Sequence, residues 1–262
     1  MPRPKHITLG DDTEIPILFE DRSVMAIDKP AGWMLVPHTW QKTRYNLQAA
    51  IVSSIAAGDF WARSRNLRFL RFIHRLDGET SGVLLFGRSA GAVQTFGRMF
   101  ESRQMEKAYL VVVHGTPKEA NWISREPIGP DPREFGRMRV DAREGKHAET
   151  HFRVLQMSGA RTLLEARPIT GRTHQIRIHL LAAGHPVAGD ELYGPDALRP
   201  PRTRPPMALR SILLAYADPF TRRRVRIEAP TEAFLSQNGF APASLPAPAK
   251  KADGPEKTPK PS

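Results

Sequence analysis

The chain has 262 residues, 40% of them hydrophobic, enough to bury one large core or two small ones without a covalent staple. It contains no cysteine, which excludes disulfide frameworks, thiolate metal sites and cysteine nucleophiles and fits a cytoplasmic address. Lys and Arg outnumber Asp and Glu by 39 to 27, and a net charge of +12 is the electrostatic footprint of a polyanion binder.

Residues 1–17 read as an N-terminal extension without the apolar stretch of a signal peptide. No segment reaches the roughly 18 apolar residues of a membrane span, so a soluble protein away from membranes is expected. Short β-prone runs follow at Ser23 to Asp28 and Gly82 to Phe86. Ser89 to Glu101 then predicts a helix, with Ala92, Phe96, Met99 and Phe100 near helical spacing and Ser89 as its N-cap. Further strands are expected at Tyr109 to His114, His151 to Gln156 and Arg161 to Arg167, and a helix over Thr173 to Ala183 that stops at Gly184. The stretch from Arg199 to Pro206 reads as an exposed basic loop. Residues 241–262, rich in Pro, Ala and Lys, are expected to be a disordered tail; they carry only +2, leaving +10 on the rest. The strands come in clusters and not as βαβ units. This predicts an α+β fold, with a mixed, largely antiparallel, bent sheet flanked by helices and loops over residues 18–240.

The densest polar cluster is His74-Arg75-Leu76-Asp77-Gly78-Glu79-Thr80-Ser81-Gly82, which runs straight into the apolar strand Val83 to Phe86. Taken alone, an Arg-Leu-Asp is most often a solvated turn. A hydrolase triad of His74, Asp77 and Ser81 would crowd into eight residues, and no G-x-S-x-G elbow exists. His174, His179 and His185 are spaced by five and six residues, which does not stack two imidazoles on one helical face, so no metal is expected. A zinc deaminase lacks its cysteine ligands here.

The cluster resembles the HRLDxxTSG signature of the RluA-type pseudouridine synthases, seven fixed positions in nine residues. Other segments follow in that family's order: Lys29-Pro30-Ala31-Gly32 is similar to its KPxG element and Lys107-Ala108-Tyr109 to its KxY element. Gly171 to Arg177 is similar to GRTHQIR, and Gly189-Asp190 with Tyr193-Gly194 to GDxxYG. The resemblance spans about residues 18–230. It implies an RNA isomerase that needs no cofactor: the uracil glycosidic bond is broken, the base rotates while held, and C5 joins C1′. Asp77 would be the indispensable carboxylate, acting either as nucleophile or as the base that assists cleavage. It must stay ionised, which an adjacent guanidinium favours, and Arg177 matches the family arginine that pairs with it. The alternative for Arg177 is a phosphate-facing arginine that exchanges roles with Arg172.

Tyr109 matches the family tyrosine that lies against the target base. Arg75 would fill the stack when uridine is extruded, and His74 would position the loop or contact the flipped nucleotide. Lys29, Lys107, Arg137, Arg139, Lys146, Arg172 and His174 complete the expected RNA contacts, most of them to phosphate. Two features depart from the family pattern. Leu209-Arg210-Ser211 stands where Leu-His-Ala is common, and no S4-like RNA-binding module is expected before residue 18. The expected partner is a stem-loop of ribosomal or transfer RNA, met by a monomer. The rival reading is a non-catalytic RNA-binding or ribosome-associated protein on the same fold.

Overall fold

The computed structural model describes residues 3–35 and 45–242. The Pro/Ala/Lys-rich tail beyond residue 242 lies outside the described residues. Thirteen strands and five α-helices are described. The strands are β1 (His6–Thr8), β2 (Glu14–Glu20), β3 (Val24–Lys29), β4 (Arg71–Phe72), β5 (Ser81–Gly87), β6 (Glu106–His114), β7 (Asn121–Ser124), β8 (Ile128–Pro130), β9 (Met138–Val140), β10 (Thr150–Ser158), β11 (Arg161–Pro168), β12 (Leu209–Ala217) and β13 (Arg224–Glu228). The helices are α1 (Leu47–Ala57), α2 (Phe60–Arg63), α3 (Ala90–Glu101), α4 (Gln175–Ala182) and α5 (Glu232–Gln237).

Eleven strands form one sheet in the order β1-β2-β3-β5-β12-β6-β11-β10-β7, with β4 on β5 and β13 on β12; β8 and β9 pair separately. Of the pairings between these thirteen strands only β12 with β5 is parallel. The sheet is therefore mixed and largely antiparallel. Bulges at Val154/Gln156 in β10, Ser211/Leu213 in β12 and Ile17/Phe19 in β2 bend it. Residues 6–17, read from sequence as an extension, supply β1 and the start of β2 and bury Ile7, Leu9 and Ile15 in the core.

The apolar runs of β5 and β6 follow from coverage on both faces. On one face, Leu84, Phe86, Val111 and Val113 pack with Leu47 and Ile51 of α1 and Ile176 and Leu180 of α4. On the other, Val83 and Leu85 meet Ala92, Phe96 and Met99 of α3, while Leu110 and Val112 meet Leu235 of α5. Helix α3 starts as the sequence predicts, with the Ser89 hydroxyl accepting from the Ala92 N–H at 3.1 Å. Helix α4 begins one residue after His174, which sits in the left-handed region at φ 54°. Because β5 lies parallel to β12 in the middle of the sheet, the loop entering β5 opens beside α4. Asp77 sits on that loop.

Candidate active site

The loop between β4 and β5 carries Asp77 and is held from below by Lys29. The Lys29 side chain is wholly buried, and its ammonium donates to the carbonyls of Gly78 at 2.7 Å, Thr80 at 2.8 Å and Pro30 at 3.0 Å. This corrects the expectation that Lys29 contacts phosphate: a fully buried group that spends three donors on its own chain has none left to offer to RNA. Burial lowers its pKa to about 7, against the opposing pull of Glu79 and Asp77. The motif glycine at 82 has a steric cause. Its φ is 106°, and a Cβ there would lie 1.9 Å from the Ser211 carbonyl oxygen, so only glycine lets β5 approach β12 this closely.

His74 braces the same loop. Its ring stacks on Phe100 with centroids 4.5 Å apart, and its Nε2 accepts from the Leu85 N–H at 3.2 Å. Desolvation, helped by nearby Lys107, lowers its pKa to about 3, so the ring is neutral and carries no proton to the site near neutral pH. Arg75 is exposed at the rim.

The carboxylate of Asp77 meets the guanidinium of Arg177, whose Nη1 donates to Oδ2 at 3.1 Å. Arg177 projects from α4 with only 4% of its side chain exposed. Its Nε and Nη2 donate to the two oxygens of fully buried Asp190, both at 2.6 Å. Burial works against the charge on Arg177, but the two carboxylates outweigh it and its pKa is raised. Its guanidinium carbon also lies 4.9 Å from the centre of the Tyr193 ring. The arginine is thus spent on Asp77 and Asp190, which removes the alternative of a phosphate-facing Arg177.

Asp190 also accepts from the N–H groups of Leu192 and Tyr193, so the Gly-Asp-x-x-Tyr-Gly turn is folded around this carboxylate. Gly189 before it has φ 75° and a site where a Cβ would lie 2.2 Å from the Pro206 carbonyl oxygen. The sequence motif marks this turn but by itself assigns no task to Asp190 or Tyr193. The signal available was an acid and an aromatic at fixed spacing directly after the arginine helix.

Tyr109, on β6, points to the Asp77 face. Burial raises its phenol to about 12; a hydrogen bond with Ser211 opposes that shift and Asp77 adds to it, so the hydroxyl is neutral. Ser211 occupies the position where the sequence departs from Leu-His-Ala. Its neighbour Arg210 reaches across β5, donating to Asp28 at 2.7 Å, to the Ser81 hydroxyl at 3.2 Å and to the Pro230 carbonyl at 2.9 Å. Lys107 donates to the Thr170 carbonyl at 3.0 Å, and burial lowers its pKa to about 8.

These groups line one cleft of about 550 Å³. His74, Arg75, Asp77, Lys107, Tyr109, Arg172, His174 and Arg177 all lie on its wall, joined by Arg103 at the end of α3, a basic residue not anticipated from sequence. Arg172 donates to the His147 carbonyl at 2.9 Å. Arg137, Arg139 and Lys146 are not on that wall; they sit on or beside the β8–β9 hairpin. Arg137 pairs with Glu134 at 3.0 Å and lies over the Tyr193 ring, and Arg139 pairs with Asp141 at 3.2 Å. The three histidines weighed as metal ligands separate: His174 bonds Tyr193, His179 bonds Thr150 and the Glu126 carbonyl, and His185 bonds the His114 carbonyl.

A family model described as RNA pseudouridylate synthase matches residues 23–182. The chain is 38% identical over 185 residues to ribosomal large subunit pseudouridine synthase D of Nitrosomonas europaea, covering 69% of this chain and 50% of that protein. It is 33% identical over 249 residues to an uncharacterized RNA pseudouridine synthase of Chlorobaculum parvum, covering 91% and 72%. The chain spans 32% and 50% of the length of the first curated relatives it matches. Among solved structures, human RNA pseudouridylate synthase domain containing 1 superposes with a TM-score of 0.65 at 27% identity, over 86% of each chain. Among the described residues no helix is long and apolar enough to cross a membrane.

Proposed function

This chain belongs to the RNA pseudouridylate synthase family, of the RluA type, and on that premise we propose that it isomerises uridine in structured RNA. The observation that carries the proposal is a carboxylate, Asp77, paired at 3.1 Å with a buried arginine on the wall of a cleft of about 550 Å³, with a neutral tyrosine beside it. That volume lies in the range of about 300–1,000 Å³ typical of small-molecule sites and suits one extruded nucleotide. Asp77 acts on the sugar side of the N1–C1′ bond, as nucleophile or as the base that assists its cleavage. Arg177 fixes the carboxylate, and the Tyr109 face holds the freed uracil while it turns to present C5. When C5 joins C1′, the proton leaves C5 and N1 gains one, so the product is an isomer and no cofactor is consumed.

Arg75 enters the space left by the extruded base. Arg172, Lys107, His174 and the exposed Arg139 and Lys146 contact the RNA backbone, and Arg137 reaches it from the hairpin. Lys29 and His74 act through the loop and do not touch RNA. The substrate is a stem-loop of ribosomal or transfer RNA, met in the cytoplasm by a monomer whose catalytic unit takes in β1 as well as residues 18–240.

The test is pseudouridine mapping at single-nucleotide resolution in unmodified total ribosomal and transfer RNA, incubated with wild type and with Asp77→Asn. New pseudouridine with wild type alone is expected and names the substrate. RNA that binds but is never isomerised by wild type would leave a binding protein in place of an enzyme.

A further inference from the structure

Among the described residues the most exposed large hydrophobic side chain is Phe135, at 93%. It stands at the tip of the β8–β9 hairpin, outside the cleft, on a segment that makes no part of the main sheet. The tip is a closed turn: the Asp131 N–H donates to the Arg137 carbonyl at 2.9 Å, the Arg137 N–H to the Glu134 carbonyl at 3.2 Å, and the Asp131 side chain accepts from the Arg133 N–H at 3.0 Å. Gly136, at φ 85°, completes it. An ordered turn that holds a bare phenyl ring in water gains nothing in the free protein, because the ring buries almost none of its apolar surface.

The hairpin is rooted at the cleft. The Met138 N–H donates to the Tyr193 hydroxyl at 2.8 Å, and that hydroxyl is 2.7 Å from Nδ1 of His174, a cleft-wall residue. Phe135 lies three residues before Met138, so within about 10 Å of that anchor, at most about three stacked base steps. Its surroundings suit a nucleic acid. Three of the four acidic side chains of this segment are engaged locally: Asp131 and Asp141 accept from backbone N–H groups and Glu134 from Arg137, while Glu144 is exposed. Arg133, Arg143 and Lys146 remain outward, with no ion pair among the described residues.

We propose that Phe135 stacks on an unpaired base of the RNA, flanking the target uridine, and so anchors the substrate at a second point outside the catalytic cleft. The proposal rests on the RNA-modifying reading above. An aromatic face suits this task because every base offers a π-face, so it adds affinity without reading sequence. Stacking of this kind lowers KM and leaves the chemical step at Asp77 untouched.

The test is steady-state pseudouridine formation on the RNA identified by mapping, with wild type, Phe135→Ala, Phe135→Leu and Phe135→Trp, each checked for an unchanged melting temperature. Phe135→Ala is expected to raise KM about 5- to 100-fold with kcat retained, Phe135→Leu to behave like it, and Phe135→Trp to keep the wild-type KM. An unchanged KM in Phe135→Ala, or full rescue by leucine, would overturn the proposal. Absence of Asp77-dependent pseudouridine in wild type would instead sink the catalytic reading, and RNA Kd values for the same four proteins then decide on Phe135 alone.

Discussion

Replacing Asp190 by asparagine separates what the two carboxylates on Arg177 do. Asp190 is wholly buried and receives two 2.6 Å bonds from the guanidinium, whereas 27% of the Asp77 side chain is exposed and it receives one bond at 3.1 Å. Losing the Asp190 charge leaves a guanidinium that is only 4% exposed with half of its compensation, and breaking a buried pair costs about 3–5 kcal/mol. For a chain of this size about 3 kcal/mol corresponds to a fall in Tm of about 6–12 °C. Asp77→Asn should change stability by less than about 1 kcal/mol, since Arg177 keeps its buried partner. Activity should follow the opposite order. Asp77→Asn abolishes turnover, while Asp190→Asn lowers kcat about 100-fold through a misplaced Arg177, with KM little changed. Thermal denaturation of the three proteins, alongside single-turnover pseudouridine formation, reads both quantities. An Asp190→Asn protein that melts within 2 °C of wild type, a tolerance of about 1 kcal/mol, and turns over at the wild-type rate would refute this division of labour.

Lys29 gives a pH signature. Its folded pKa, about 7, lies below the 10.5 of the unfolded chain, so the unfolded state holds more protons between those values and stability rises with pH across them. Lys107, lowered to about 8, acts in the same sense. Urea denaturation at pH 7 and pH 9.5 should show wild type gaining more than Lys29→Met, by up to about 1.4 kcal/mol per pH unit; parallel gains would exclude a lowered lysine at 29. His74, lowered to about 3, binds a proton between pH 6.5 and pH 3 only when unfolded, so falling pH destabilises the fold through it. His74→Phe keeps a ring over Phe100 and should show less acid sensitivity between pH 7 and pH 5, with a cost at pH 7 of about 1–3 kcal/mol for the unpaired Leu85 N–H. Affinity for a single-stranded or loop RNA should fall with salt on a log–log slope of about −2.8 or steeper, as contact with four or more phosphates requires at about −0.7 each, and a flat dependence measured by filter binding would rule out backbone contacts by Arg172, Lys107 and the hairpin.

The sequence alone carried the elements whose causes lie within a few residues. Ser89 caps α3 through a bond to Ala92, and the apolar runs of β5 and β6 announce strands covered on both faces. The nine-residue motif and its companions placed Asp77, Tyr109 and Arg177 in one family and, through it, in one site. Helix α1 escaped because its sequence, Leu-Gln-Ala-Ala-Ile-Val-Ser-Ser-Ile-Ala-Ala, has no clear polar face to give it a period. Only the tertiary structure decided which charges face RNA and which hold the protein together. Lys29 reads as a solvent-exposed cation until β3 is paired with β5, when carbonyls 49 and 51 residues away close around it. Asp190 becomes the clamp on Arg177 only when the turn after α4 folds back beneath that helix. Periodicity and capping act between chain neighbours and are legible from the string, whereas desolvation of a charge depends on everything packed around it, and that is set by contacts between residues far apart in the chain.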